Sequence, residues 1–230
     1  MADINDFSEE REINMSVETY EAVGYRRIVP QEGMTIAKAN EYWQSVFSRK
    51  ETSETDESNC PGRHQEVKDG KTYYYDDNGN LYRIDDELLP NSEYEINGYH
   101  YTTDEKGRII RVEGQLHLKD HEGRLPIKDS IEDIGKGDQK DTDDRGHLIG
   151  DQFDGSNGLE NMIPQDASIN RVDFNQFEQE LAKEVKDGKT VTVKVEVIYE
   201  GDSHRPSAIV VTYSIDGEEN VRIFPNEKEG

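Results

Sequence analysis

The chain has a single cysteine, Cys60, among 230 residues. That excludes an intramolecular disulfide framework and any metal site built from several thiolates. Cationic residues are scarce: 27 Lys and Arg stand against 51 Asp and Glu, a formal net charge of −24. A protein that holds nucleic acid ordinarily carries a basic surface, because phosphate neutralisation supplies most non-specific affinity. Three readings of the acidity remain open: solubility alone, an acidic protein that mimics DNA, or an enzyme that meets phosphate through a metal ion and a few local arginines. There is no apolar run long enough for a helical membrane span, so no membrane insertion is expected. Met1 to Met15 is acidic and lacks the apolar core of a secretory signal peptide. If the protein leaves its cell, the expected route needs no N-terminal signal here, or this chain is one end of a longer polypeptide.

Apolar residues gather in the C-terminal half, where the main core is expected. The aromatic content of 8%, with 12 Tyr, favours β structure. Ile36, Ala39, Trp43, Val46 and Phe47 recur at helical spacing and predict one amphipathic packing helix over Thr35 to Lys50. An acidic, Ser/Thr-rich stretch, Glu51 to Asn59, reads as a linker. Beyond the linker the chain repeats itself. Tyr73, Asp76, Gly79, Leu81, Arg83 and Ile84 are matched at identical spacing by Tyr101, Asp104, Gly107, Ile109, Arg111 and Val112. Each unit predicts strand, turn, strand, with Asp opening the turn and Gly supplying the positive φ. The unit resembles the YD repeats of bacterial Rhs-type shell proteins. Asn97-Gly98 predicts a further hairpin turn.

Asp129 to Asp144 is Gly- and Asp-rich and reads as a loop. A short strand is expected over His147 to Gly150, a loop over Asp151 to Gly158, and a strand near Asn161 to Pro164. A helix is expected from about Ser168 to Lys186, with Phe174, Phe177, Leu181 and Val185 along one stripe, Asp166 or Ser168 capping it and Gly188 ending it. Thr190 to Tyr199 and Ala208 to Ile215 predict long strands, with a third over Val221 to Phe224.

Chemistry concentrates in this second half. The first short strand carries Asp144-Arg145-Gly146-His147, the second Asn161-Met162-Ile163-Pro164-Gln165, and the helix carries Asn170 and Glu178. Phosphodiester hydrolysis needs an activated water, a cation on the phosphate oxygens and help for the leaving oxygen. A neutral imidazole can accept a proton near pH 7, which suits His147 to the first task. Asn170 offers a neutral oxygen at a helix start, and Mg²⁺ takes few protein ligands when substrate and water supply the others. On a uniform α-helix Glu178 lies about 80° round from Asn170, where it can orient water beside the metal. Arg145 can meet phosphate bidentately, and Asp144 is expected to hold a turn or Arg145. Gly146 is expected to leave room for a substrate backbone.

These three elements, in order and in register, resemble the DNA/RNA non-specific endonuclease family with its ββα-metal motif, in the branch found at the C-termini of secreted bacterial toxins. The resemblance implies an α+β fold, one Mg²⁺ or Mn²⁺ ion, DNA or RNA as substrate, 5′-phosphate products and the possibility of a cognate immunity protein. It places His147, Arg145 and Glu178 in catalysis and Asn170 on the metal. The expected division is an N-terminal region over 1–90 and a nuclease domain over 91–230. One departure stands out: the family's arginine four positions after the helix Glu is Ala182 here, next to Lys183. Arg111, Arg124 and Arg171 are unranked replacements. Asp151, Asp154 and Asn157 form an acidic loop without calcium-loop spacing. The rival reading, an acidic DNA mimic or immunity-type inhibitor, explains the charge but not the His box, the Pro-Gln strand and the Asn helix in register.

Overall fold

The computed structural model describes residues 62–120, 122–123 and 126–227. The helix expected over Thr35 to Lys50, the acidic linker, Cys60 and Arg124 lie outside them.

Alternation with period two builds the sheets, because successive side chains on a strand point to opposite faces. A four-stranded antiparallel sheet holds β1 (His64–Lys68), β2 (Lys71–Tyr75), β3 (Leu81–Ile84) and β4 (Glu87–Leu88). A six-stranded sheet holds β5 (Glu93–Ile96), β6 (Tyr99–Thr103), β7 (Ile109–Gln115), β10 (Val191–Tyr199), β11 (Pro206–Ile215) and β12 (Glu218–Pro225), in the order β12-β11-β10-β7-β6-β5. Along β10, Val191, Val193, Val195 and Val197 are buried while the residues between them are not. A two-stranded sheet pairs β8 (Asp143–His147) with β9 (Met162–Asp166). The α+β class and the antiparallel sheets are as expected.

Both Tyr-Asp units form hairpins with the same turn chemistry. Asp76 Oδ1 accepts from the backbone N–H groups of Asn78 and Asn80. Asp104 Oδ1 accepts from those of Lys106 and Arg108. Gly79 and Gly107 carry φ of 78° and 73°. The Asn97-Gly98 turn, with φ of 53° and 77°, joins β5 to β6. The first hairpin packs against β5 and β6 through aromatic rings: Tyr82 stacks on Tyr94 at 4.8 Å, and Tyr94 on Tyr101 at 5.0 Å. Tyr82 of that hairpin is buried in one core cluster with Tyr94 and Tyr101.

Several expectations are corrected. The stretch read as loop from Asp129 to Asp144 contains α1 (Ile131–Gly135), started by a reciprocal cap between Ser130 and Asp133. The strand expected over His147 to Gly150 lies earlier, over Asp143–His147, because its ladder to β9 pairs Asp143 with Asp166 and His147 with Met162. The helix is not uniform: Ile169–Phe174 is π-helical, and α2 (Asn175–Lys186) continues from it. A π turn bonds i to i+5 and is wider than an α turn, so the angle of about 80° between Asn170 and Glu178, drawn for an α-helix, does not apply. Phe174 and Phe177 pack edge-on or tilted against Phe224 at 5.0 and 5.5 Å, which seats the helix on the six-stranded sheet.

Two glycines allow a test of turn strain. A Cβ on Gly107 would sit 2.5 Å from the Leu88 carbonyl oxygen, whereas one on Gly70, also at positive φ, meets nothing within 4 Å. Gly70→Ala should cost only the backbone term of about 1 kcal/mol. Gly107→Ala should cost clearly more, about 2 kcal/mol or above, because the clash adds to the strain. Urea denaturation of both variants checks this, and equal losses would refute it.

Candidate active site

His147 ends β8. It is buried, with 6% exposure. Its Nε2 lies 2.9 Å from Asn157 Oδ1. The other end of that amide, Nδ2, points at Asp151 Oδ1, 3.4 Å away, and Lys119 Nζ donates to Asp151 Oδ2 at 2.5 Å. A carboxylate can only accept, so the amide is oriented with its oxygen toward the imidazole. Nε2 is then the protonated nitrogen and Nδ1 the basic one.

The loop that carries Asn157 is held from below. Asn161, fully buried, accepts on Oδ1 from the Ile149 N–H at 3.0 Å and from the Tyr101 hydroxyl at 3.2 Å. Its Nδ2 donates to the carbonyls of Ile149 and Ser156, each at 2.8 Å. Tyr94 and Tyr99 donate their hydroxyls to the carbonyls of Glu160 and Phe153 at 2.9 and 2.7 Å. The tyrosines of β5 and β6, read from sequence as hairpin residues, therefore also anchor the loop behind the histidine.

Asn170 stands in the π segment. Its Nδ2 donates to Asp144 Oδ2 at 3.1 Å. Asp144 also receives both arms of Arg171, at 2.7 and 2.6 Å. The expectation that Asp144 holds Arg145 is thereby corrected: neighbours on a strand face opposite ways. Arg145 is exposed and donates to the Asp129 carbonyl at 3.0 Å. The Arg171 guanidinium holds the Asp144 carboxyl below the usual carboxylate range, helped by the Asn170 amide and opposed by partial burial. Such a depressed group keeps its contribution at neutral pH and loses it only as pH falls through the lowered value.

Glu178, one helical stretch onward, approaches Gly150. A Cβ on Gly150 would fall 2.8 Å from Glu178 Cδ. The helix is thus tied to the β8 segment at Asp144 and again at Gly150, with His147 midway between them in sequence. The space above Gly146 does not serve a substrate backbone, which corrects that expectation. Gln165 fills it, and a Cβ on Gly146 would sit 2.6 Å from Gln165 Cβ. The family's missing arginine has a physical reason as well. Ala182 is 1% exposed in the core, where a guanidinium would be buried. Of the unranked replacements, Arg171 lies beside Asn170 and pairs with Asp144, while Arg111 lies on β7 near Glu113. Asn157, Asp151, Lys119 and Asn161 were not chosen from sequence as site residues. The one available signal was the Asn and Asp density of the loop after the His box.

Asn170 fits a hard divalent cation by its chemistry. Because Nδ2 is committed to Asp144, the neutral Oδ1 is the end left for a ligand, as Mg²⁺ prefers. No group of three or more His, Cys, Asp or Glu suited to a metal occurs among the described residues.

The loop anchor yields a prediction. Asn161→Ala would strand the Ile149 N–H and the Ile149 and Ser156 carbonyls in the core. It should destabilise the fold by about 3 kcal/mol, measured by urea denaturation. A loss under about 1 kcal/mol would show that water or a shifted loop replaces the amide.

Residues 90–217 match the family model of the DNA/RNA non-specific endonuclease. The Type VII secretion system protein EssD of Staphylococcus aureus strain USA300 is 36% identical over 148 residues, covering 61% of this chain and 24% of that protein. EssD of strains NCTC 8325 / PS 47 and Newman matches to the same extent. This chain spans about a quarter of the length of those relatives. With the family model covering more than half of its residues, the chain belongs to the DNA/RNA non-specific endonuclease family.

Proposed function

We propose that this protein is a metal-dependent, sequence-non-specific endonuclease that hydrolyses phosphodiester bonds of DNA, RNA or both, leaving 5′-phosphates. The observation that carries the reading is His147, held at Nε2 by Asn157 on a strand bound through Asp144 to Asn170. His147 Nδ1 takes a proton from the attacking water, and the Asn157 oxygen stabilises the imidazolium that results. Asn170 Oδ1 would hold one Mg²⁺ or Mn²⁺, which would supply positive charge against the negative charge that develops during hydrolysis. Asp144 fixes the Asn170 amide so that its oxygen, not its nitrogen, is presented. Arg171 and Arg145 supply the nearby cations for phosphate. Glu178 orients water from its place against Gly150. The acidic mimic or inhibitor reading is not favoured by family membership.

The resemblance to EssD, named as a type VII secretion system protein, supports an effector role: a toxin domain exported without a classical signal peptide and held in check by a cognate immunity protein. No helix among the described residues is long and apolar enough to cross a membrane.

EDTA should abolish cleavage of plasmid and RNA, and Mg²⁺ or Mn²⁺ should restore it; full cleavage without metal would sink the mechanism. His147→Ala should lower the rate by about 10²–10⁴-fold with metal affinity retained, and wild-type activity should decline toward acid pH along a one-proton limb. Asn170→Ala should weaken metal binding, and Asp144→Ala should weaken it by about 10–100-fold, as read by metal titration. A His147 variant that loses metal while the Asn170 variant keeps it would reverse the assignments. For the biological role, cytoplasmic expression in bacteria should degrade nucleic acid and arrest growth unless an inhibitor is co-expressed. Healthy growth with verified active protein would count against a toxin.

A further inference from the structure

A groove of about 670 Å³ runs between the first hairpin and the loop behind the histidine. One wall is Arg63, His64 and Tyr75 from the hairpin, and the other includes Asn157 and Lys128. The hairpin precedes the segment that the family model matches, residues 90–217, so this wall is built from outside the matched segment. Asn157 faces the groove and also bonds His147 Nε2. The groove therefore abuts the catalytic centre on the side opposite the basic nitrogen, where the scissile phosphate itself has no place but neighbouring nucleotides do.

The lining has the chemistry that receives a single strand. His64 and Tyr75 are direct cross-strand partners, and their rings stack at 4.4 Å with 1° between planes. Such a flat ring pair is a platform for an unpaired base. Arg63 is exposed, with its guanidinium set by Asn97 Oδ1 at 2.7 Å, and Lys128 is exposed across from it. Carboxylates in the lining have cationic or imidazole neighbours, two of them sharing one arginine. Arg83 pairs with Asp129 and Glu160, Lys119 with Asp151, and His117 lies 3.8 Å from Asp154. In a chain of net charge −24, a groove that sets the exposed Arg63 and Lys128 beside paired carboxylates is a place where a polyanion meets reduced repulsion.

We propose that this groove binds the single-stranded nucleic acid flanking the cleaved phosphate, with an unstacked base on the His64–Tyr75 ring pair and Arg63 and Lys128 on its backbone. The proposal rests on the endonuclease reading for its orientation toward His147. The test uses the full chain in two arms. In the first, His147→Ala protein is titrated into a fluorescent single-stranded oligonucleotide and anisotropy is followed, with and without R63E or the H64A/Y75L pair. In the second, wild-type and groove-variant proteins act on a long single strand and on a small nitrophenyl phosphodiester too short to reach the groove. Both variants should weaken oligonucleotide binding about tenfold or more, since one base stack is worth about that much. They should also lower kcat/KM for the strand relative to the small ester by a similar factor. R63E alters an exposed side chain, so it keeps the test valid if the ring variant unfolds. Unchanged binding and an unchanged strand-to-ester ratio would overturn the groove while leaving the nuclease intact. A wild type that cleaves neither substrate would overturn the endonuclease reading, and the binding arm would still decide the groove. Groove variants that bind the strand normally but lose affinity for a co-expressed inhibitor protein would also overturn the proposal, in favour of a protein partner.

Discussion

The amide of Asn161 is the point on which the site depends. The chain from Ile149 to Asn161 must double back within the core to bring Asn157 to the histidine, and a chain that doubles back in the interior leaves peptide groups without a ladder. Asn161 satisfies three of them and takes a tyrosine hydroxyl as well. A neutral amide donates and accepts from a single rigid plane, so no apolar or acidic residue of similar size can replace it there. Tyr94 and Tyr99 complete the set from the sheet side. A buried polar network of this kind rigidifies because each unmade bond would be expensive.

Charge is organised on the same principle. The excess of acid is tolerated in part because several carboxylates near the core meet an arginine: Asp129 and Glu160 meet Arg83, Asp143 meets Arg205, and Asp104 meets Arg108. Buried pairs contribute little net stability when both charges must be desolvated, but they fix geometry. Asp143 and Asp144 illustrate the division on adjacent residues of β8, one turned to Arg205 and the other to Arg171 and Asn170. The strand is thereby positioned from both faces by charged hydrogen bonds.

Much of this was legible from residue types and spacing. The Tyr-Asp hairpins, the Asn-Gly turn, the three C-terminal strands and the helix stripe are local patterns, and local patterns are what periodicity reports. The His box, the Pro-Gln strand and the Asn helix were legible as a set. What escaped was tertiary. Nothing local marks Ile169–Phe174 as π-helical, since π turns arise from how a segment is accommodated rather than from propensity. Burial of His147 follows from the loop folded over it, and the partner of Asp144 is set by a helix 26 residues away. α1 was hidden because its five residues are too few for a periodic signal, although its Ser130 and Asp133 cap was written in the chain.

Gly146 bears a consequence for anyone who would diversify this protein. Inside a motif read for its chemistry, it is occupied from the other side by Gln165, whose buried amide has no hydrogen-bond partner among the described residues. Its reason for being glycine is therefore volume. A library that randomises the box would find that position closed by steric exclusion before any question of turnover arose. Truncation at 165 would remove the unsatisfied amide but not the obstruction, because a Cβ there would still lie 2.6 Å from one on residue 146.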